Sequence, residues 1–517
     1  MKKPTSGKTY LVYLLLATLV GVGGYFLWGT MAEDEESVYA PPRDSDLQVT
    51  GPARKLFQEA LPEFVMALDK WGTSEEARAG IGDDELQALR TTLMGAANKA
   101  SLGSALSKVF EAFIDAAIYT AKVEDPELDD AADTLIKKTL ELNDAIASAG
   151  LGFFVDASIE TRSRGRRYVF IFTFEVAKVV LYRSGGHDVR TLRVTRLDNI
   201  NFTYSLLGFT SSRRKDAVVL DDKVDEHVLQ LLPALDEETI MDPFRLSTKD
   251  SETEWFNPAR RLATAVIREE LGSAGGEELQ TLGALLATRR EIYARWNERL
   301  ESRQMSIDEP TSLDIKWKYA EQMEGLVTNA AIRELDDIQA KLRKKDMREA
   351  YYKVHDHFVQ SVERHETQHR LDYAKLYKLP MPPALAAYVG DLPEGLAGQG
   401  TRASSALAEM SAYLSELARD PLTPKLNLTL LVRYLFDKNA LGMSESYAAL
   451  VIVEALADEL GIEHGPFVAG RSIQRSTVAA VYTKMCEVEG DTFRAAAKSL
   501  WGKFFETELP DLELISR

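Results

Sequence analysis

The chain has little cysteine and no excess of positive charge. Its single cysteine, Cys486, cannot form an intrachain disulfide and has no CxxC partner for zinc or redox chemistry. The formal net charge of −18 over 517 residues argues against a nucleic-acid partner, because phosphate binding needs a basic surface. The sequence also contains no repeat of fixed period and no low-complexity segment, so it does not indicate a repeat architecture.

Long hydrophobic runs are scarce, with one exception near the start of the chain. Residues 9–29 carry no charge and match the roughly 20 residues that a helix needs to cross a bilayer core. Lysines precede this run and an acidic cluster follows it, which predicts a single-pass anchor with a cytoplasmic N-terminus and an exported remainder, periplasmic or extracellular. A cleaved signal peptide ending near Ala32 is the alternative, and it would give a secreted protein.

The rest of the chain has the composition of a folded protein, with 45% hydrophobic and 27% charged residues. Over residues 51–149 apolar residues recur at three- and four-residue steps, which predicts a small bundle of about four helices. Residues 153–197 are rich in aromatic and β-branched residues, which predicts an antiparallel meander of three or more strands. Helical patterns resume after Asp221 and include a long charged helix over residues 275–303.

These patterns predict a mainly α protein with a small antiparallel β-meander, an α+β class. Six segments are expected: an N-terminal membrane anchor (1–32), an acidic tether (33–50), a helical bundle (51–150), the β-meander plus a helix (151–245), long charged helices (246–343), and a C-terminal helical domain (344–517).

Two of the seven histidines lie four residues apart in a predicted helix, with a glutamate directly after the first. Four residues correspond to about 400° of helix rotation, which places His365 and His369 on one face, one turn apart. Both imidazoles can therefore reach a single ion. Two buried histidines that merely hydrogen-bond within a core are the alternative, but the HExxH spacing favours a zinc site.

The glutamate of this motif, Glu366, continues an apolar stripe of the same helix. The stripe advances in four-residue steps through Val354, Phe358 and Val362. The motif is therefore predicted to face inward. His355 and His357 lie too far along the helix axis to join the same ion, about 12 Å in the case of His357, and are interpreted as surface or structural residues.

Zinc held by two histidines needs a third protein ligand and an open position for water. The HExxHxxGxxH pattern is absent, because Asp372 and Lys375 occupy the places of its glycine and third histidine. A carboxylate on a later helix is therefore expected. Glu409 is favoured because its helix is the first to follow, whereas Glu416 and Glu454 remain open. Glu454 stands in an apolar run, where burial is costly unless the carboxylate is paired or bound to metal.

The three motif residues and a downstream helical glutamate resemble the gluzincin branch of the zincin metallopeptidases. The sequence EMSAY from Glu409 resembles that branch's ExxA(D) glutamate helix, and EALAD from Glu454 fits the pattern more literally. The resemblance implies that His365, His369 and Glu409 bind Zn2+. It also implies that Glu366 takes a proton from the zinc-bound water and passes it to the leaving amine.

Sites of this class usually supply a second donor for the oxyanion. The candidate donors are Tyr388, Tyr447, His464 and Arg471. Asp372 and Tyr413 are candidate hydrogen-bond partners of the ligand histidines.

The sequence therefore indicates a membrane-anchored zinc metallopeptidase that hydrolyses peptide bonds in exported or envelope proteins. Its expected partners are a protein or peptide substrate and the membrane. Two alternatives remain open: a catalytically inactive zincin-like scaffold of the cell envelope, and a zinc amidase that acts on cell-wall links.

Overall fold

The computed structural model describes most of the chain from residue 51 onward. The described residues are 51–73, 83–123, 127–161, 167–200, 207–210, 214–244, 254–274, 276–301, 307, 309–310, 312–313, 329–374, 379–390, 401–420, 424–436, 442–470 and 472–516. The predicted anchor (1–32) and tether (33–50) lie outside them. Within this part of the chain, no helix combines the length and apolarity needed to cross a membrane.

The first described region is a set of helices packed on one face of a sheet. This region begins with a short helix, α1 (Gly51–Lys55), and a π-helical turn (Leu56–Ala60). Four longer helices follow: α2 (Leu61–Thr73), α3 (Asp83–Ala100), α4 (Ser104–Lys122) and α5 (Leu128–Ser148). Phe110 and Phe113 of α4 belong to one core cluster with Phe170, Phe172 and Phe174 of the sheet. The helices predicted for this region are present, and they share their core with the sheet.

Eight strands occur in the described residues. They are β1 (Phe153–Thr161), β2 (Arg167–Ser184), β3 (His187–Arg196), β4 (Gly208–Phe209), β5 (Ala217–Leu220), β6 (Val468–Ala469), β7 (Ser472–Ile473) and β8 (Glu513–Ser516). β1, β2 and β3 form the predicted antiparallel meander. β5 then pairs parallel to β3, and β4 pairs antiparallel to β5. The order is β1-β2-β3-β5-β4, so β4 forms an edge of the described sheet.

Eleven further α-helices follow the sheet in the described residues. They are α6 (Asp221–Leu231), α7 (Phe256–Ala274), α8 (Glu277–Glu301), α9 (Asn329–Leu342), α10 (Lys345–Tyr373), α11 (Pro383–Val389), α12 (Arg402–Arg419), α13 (Pro424–Phe436), α14 (Ser444–Glu459), α15 (Arg475–Cys486) and α16 (Gly490–Phe505). The protein is thus mostly helical with a small sheet, an α+β fold. The predicted long charged helix is α8.

Helix α10 lies between the sheet and α12 and contacts both. On the sheet side, the hydroxyl of Tyr182 donates to Glu363 Oε2 over 2.7 Å. The hydroxyls of Thr191 and Thr367 are 3.0 Å apart. This helix has 29 residues, many of them polar, and contacts of this kind stabilise it because they give some of its buried polar groups partners in the neighbouring elements.

The predicted apolar stripe of α10 is buried. Val354, Phe358 and Val362 are 1%, 3% and 8% exposed, and Glu366 is 6% exposed, so the HExxH motif faces the interior. The boundaries at residues 150, 245 and 343 stay predictions.

His355 and His357 are buried in α10, so the surface alternative for these residues was wrong and the structural one holds. Their Nε2 atoms lie 3.4 Å from Asp225 Oδ1 and 3.3 Å from Asp420 Oδ1, respectively.

Gly208 in β4 fits closely against α10. A Cβ atom added there would lie 2.7 Å from Glu366 Cγ and 2.7 Å from the carbonyl oxygen of Val218. The Gly208→Ala variant should therefore lose about 1–3 kcal/mol of unfolding free energy through overpacking. Urea denaturation measures the change, and an unchanged or higher stability would contradict this packing. Gly95→Ala is the control, because nothing lies within 4 Å of that position in α3 and alanine favours helix.

Candidate metal centre

Three side chains from two helices converge on one point. His365 and His369 of α10 present their Nε2 atoms to each other at 3.1 Å. Glu409 of α12 faces both of them, with its carboxylate oxygens 3.6 Å from His365 Nε2 and 3.6 Å from His369 Nε2. One ligand atom from each of the three lies within 4.8 Å of the other two. The spacing that predicted the site is thus realised as a convergent donor set.

These distances suit a divalent ion with tetrahedral ligands. Zinc takes nitrogen and oxygen ligands at about 2.0–2.1 Å, so two tetrahedral ligands lie about 3.3 Å from each other. The Nε2–Nε2 separation of 3.1 Å is close to this value, and two different oxygens of Glu409 lie 3.6 Å from the two nitrogens, Oε2 from that of His365 and Oε1 from that of His369. Two neutral imidazoles and one carboxylate form a donor set that zinc prefers and that leaves a fourth position for water.

The two other carboxylate candidates do not occupy the third ligand position. Glu416, nearly two turns beyond Glu409, places Oε2 3.3 Å from His365 Nδ1. A carboxylate on the far nitrogen of a ligand histidine fixes the tautomer that presents a lone pair at Nε2. Glu454 lies on α14 outside the pocket that the three donors line, with His464 and Asp458 as charged neighbours. The geometry therefore favours Glu409 as third ligand.

The electrostatics of the two histidines differ although they are adjacent. Burial alone would lower the pKa of His365, but hydrogen bonds and charge from Glu409 and Glu416 outweigh burial and hold that pKa well above its usual value. Burial lowers the pKa of His369 to about 4, and the charge on His365 adds to this effect. Burial also opposes ionisation of Glu409, but the charges of both histidines outweigh it and lower the pKa of that carboxyl. Without a metal the two histidines together therefore carry about one positive charge at neutral pH.

Glu366 is a buried carboxyl beside the donor set. Burial raises its pKa to about 8, and Glu409 adds to the rise. Its Oε2 is buried and forms no hydrogen bond with any described residue. A buried polar atom without a partner is costly. Such an atom, beside three convergent donor side chains, fits a water or a substrate group as its missing partner.

The donor set and Glu366 line a pocket of about 190 Å³. The other walls come from β4 and its flanking residues, from α13, and from one or two residues each of α6, α10, α12 and α14. These residues are Leu207, Gly208, Phe209, Thr210, His227, Val362, Tyr373, Tyr413, Glu416, Asn427, Leu430, Arg433, Tyr434 and Glu445. The pocket thus lies between β4 of the sheet and the C-terminal helices.

The predicted oxyanion donors are not among these residues. Tyr388, Tyr447 and His464 do not line the pocket, and Arg471 lies outside the described residues. The pocket instead contains the adjacent Arg433 and Tyr434 of α13, whose guanidinium and hydroxyl are 3.2 Å apart.

Tyr413 and Asp372 were the candidate partners of the ligand histidines. The Tyr413 ring packs edge-on against the His365 ring, with 4.8 Å between the ring centroids. Its hydroxyl donates to the hydroxyl of Tyr434 over 3.2 Å. Asp372 instead accepts hydrogen bonds from Gln368 and from Ser411, which ties α10 to α12 below the site. Burial raises the pKa of Asp372 to about 7.

Sequence patterns missed two walls of the pocket. β4 is only two residues long, so alternation within it could not predict a strand. Helix α13 did carry a signal, because Asn427 and Arg433 interrupt an otherwise apolar segment, where unpaired polar groups would be costly.

No protein-family model, curated protein or solved structure is significantly similar to this chain. The functional assignment therefore depends on the geometry of this site.

The purified protein is expected to bind one zinc ion per chain, because three preorganised ligands and an open fourth position suit zinc. His369→Ala or Glu409→Gln should remove stoichiometric zinc, whereas the matched control Glu454→Gln should retain it, since Glu454 lies outside the pocket. Elemental analysis after dialysis against a weak chelator gives the stoichiometry. Zinc that survives Glu409→Gln and is lost in Glu454→Gln would reverse the assignment of the third ligand.

Zinc affinity is expected to fall as the pH is lowered. The proton that the carboxylates hold on His365 competes with zinc for the same Nε2 atom, so zinc binding must displace it. Below the raised pKa of His365 this competition should cost roughly tenfold in affinity per pH unit. Competition with a chromophoric chelator at several pH values measures the slope. A flat profile between about pH 6 and 7.5 would show that no such proton is displaced.

Proposed function

We propose that the protein is a zinc-dependent metallopeptidase whose catalytic base is Glu366. The observation that supports this most strongly is the buried Oε2 atom of Glu366, which has no described partner and adjoins three convergent metal ligands. An inactive scaffold would gain nothing from this atom, because a buried carboxyl without a partner costs stability. In a hydrolase the same atom accepts the proton of the attacking water.

Each residue of the pocket then has a chemical role. Zinc on His365, His369 and Glu409 would acidify a bound water and polarise the scissile carbonyl. Glu366 would take the proton of that water and deliver it to the leaving amine. A pKa of about 8 keeps Glu366 protonated at neutral pH in the absence of metal, but a nearby dication favours the ionised form and so frees the base.

The hydroxyl of Tyr434 is a suitable donor to the developing oxyanion. It accepts hydrogen bonds from Tyr413 and from Arg433, so neither bond uses its own proton. That proton remains for an oxygen in the pocket, and the adjacent guanidinium favours negative charge there.

A peptide fits this pocket better than a compact amide because one wall is a strand edge. β4 pairs with β5 on one side, and no described strand pairs with its other side. Residues of β4 line the pocket beside Glu366. An extended peptide can add to such an edge through main-chain hydrogen bonds, which brings its carbonyl groups past the metal ligands. The uncharged segment 9–29, if it anchors the chain, would direct this activity to exported or envelope proteins.

Glu366→Gln should keep zinc and lose peptide hydrolysis. The amide has the same shape as the carboxyl but cannot accept the proton, and loss of a general base typically lowers the rate by 10²–10⁴-fold. The full-length protein and this variant are compared on an unstructured protein and a mixed peptide library, with zinc content measured in the same samples. Chelation should abolish cleavage, and added zinc should restore it.

Asn143→Ala provides a control far from the site, since Asn143 bonds to the backbone of Val155 at the junction of α5 and β1. That variant should cleave as the wild type does. Equal cleavage by Glu366→Gln and wild type would remove Glu366 from the chemistry. Hydrolysis of cell-wall material with none of peptides would replace the peptide substrate by another amide.

A further inference from the structure

A second row of polar residues continues from the metal ligands along α10. His357, Ser361 and His365 follow one another at four-residue steps, so they lie on one stripe of the helix. This stripe faces the C-terminal end of α12, where Glu416 and Asp420 lie. Ser361 and Asp420 are 3% and 0% exposed, so their polar atoms depend on protein partners.

The hydrogen bonds form a continuous chain from His365 to Asp420. His365 Nδ1 is 3.3 Å from Glu416 Oε2, and the Ser361 hydroxyl donates to Glu416 Oε1 over 2.8 Å. The amide of Asn427 lies 3.4 Å from Ser361 Oγ and donates to Asp420 Oδ2 over 2.8 Å. His357 Nε2 lies 3.3 Å from the other oxygen, Asp420 Oδ1.

The donors and acceptors fix the direction of this chain. Ser361 has one hydroxyl proton, and Glu416 at 2.8 Å is a better acceptor position than Asp420 Oδ2 at 3.3 Å. The two amide protons of Asn427 can serve Asp420 and Ser361. Both oxygens of Glu416 are then occupied, one by Ser361 and the other by the Nδ1 proton of His365. When His365 is neutral, its lone pair is therefore on Nε2, towards His369 and Glu409.

The far end of the chain is attached to two other helices. Asp420 directly follows α12, and its backbone carbonyl accepts a hydrogen bond from Arg494 of α16 over 3.1 Å. Asn427 belongs to α13. The position of Glu416 is thus determined by α10, α13 and α16 as well as by its own helix.

We propose that Ser361, Asn427 and Asp420 are positioning residues of the metal centre, which hold the Glu416 carboxylate where it fixes the tautomer and orientation of His365. This inference depends on the proposed metal binding but not on peptide hydrolysis. Partners of this kind typically contribute 10–100-fold to metal affinity, and a residue one bond further out should lie near the lower limit.

The test measures zinc affinity of the full-length protein by competition with a chromophoric chelator. Ser361→Ala removes the hydroxyl that holds Glu416 and should weaken zinc binding about tenfold. Ser415→Ala is the matched control, because Ser415 is a fully buried serine of α12 whose hydroxyl has no described partner. Its affinity should equal that of the wild type. The visible absorption of the cobalt(II)-substituted protein should change in Ser361→Ala only.

Ser361→Thr separates positioning from packing. It retains the hydroxyl but adds a methyl group at a buried position, so it should lower the thermal midpoint and keep wild-type zinc affinity. Zinc affinity within twofold of wild type in Ser361→Ala, with an unchanged cobalt spectrum, would overturn the positioning role. A wild-type protein that binds no zinc would overturn both this inference and the proposed function, whereas zinc binding without peptide cleavage would overturn only the latter.

Discussion

The site depends on the burial of helix α10 between the sheet and α12. A helix in that position cannot leave its polar side chains to water, so each must find a partner in a neighbouring element. On the sheet side Glu363 and Thr367 meet Tyr182 and Thr191. On the other side His357, Ser361 and His365 face Glu416 of α12 and Asp420, which directly follows that helix. The four-residue period of the helix places these pairs in a row.

The donor set and Glu366 retain buried polar atoms without a described partner. His357 Nε2 lies 3.3 Å from Asp420 Oδ1, whereas Glu366 Oε2 and His369 Nδ1 have no hydrogen-bond partner among the described residues. Two imidazole nitrogens at 3.1 Å, next to a carboxylate, make poor mutual partners without a shared proton or an ion. Two of the buried polar atoms that lack a described partner thus belong to residues that line the pocket, where chemistry is expected.

The sequence predicted the local features of the fold and site but not their tertiary surroundings. Helical and strand periods were sufficient for the bundle, the meander and the inward HExxH stripe, because each is a pattern within one element. His355 and His357 could not be distinguished as surface or core, since their partners, Asp225 and Asp420, lie on other elements. For the same reason Glu416 could be listed as a ligand candidate but not recognised as the partner of His365 Nδ1. The two residues of β4 are too few to show a period of their own.

The central claim is that His365, His369 and Glu409 hold one divalent ion. Anomalous diffraction from crystals grown with equimolar zinc, recorded on both sides of the zinc absorption edge, tests it most directly. We expect a single peak about 2.0–2.2 Å from both Nε2 atoms and from a Glu409 oxygen, with room for a water beside Glu366. A peak at another place, or protein crystals with no zinc peak, would contradict the account.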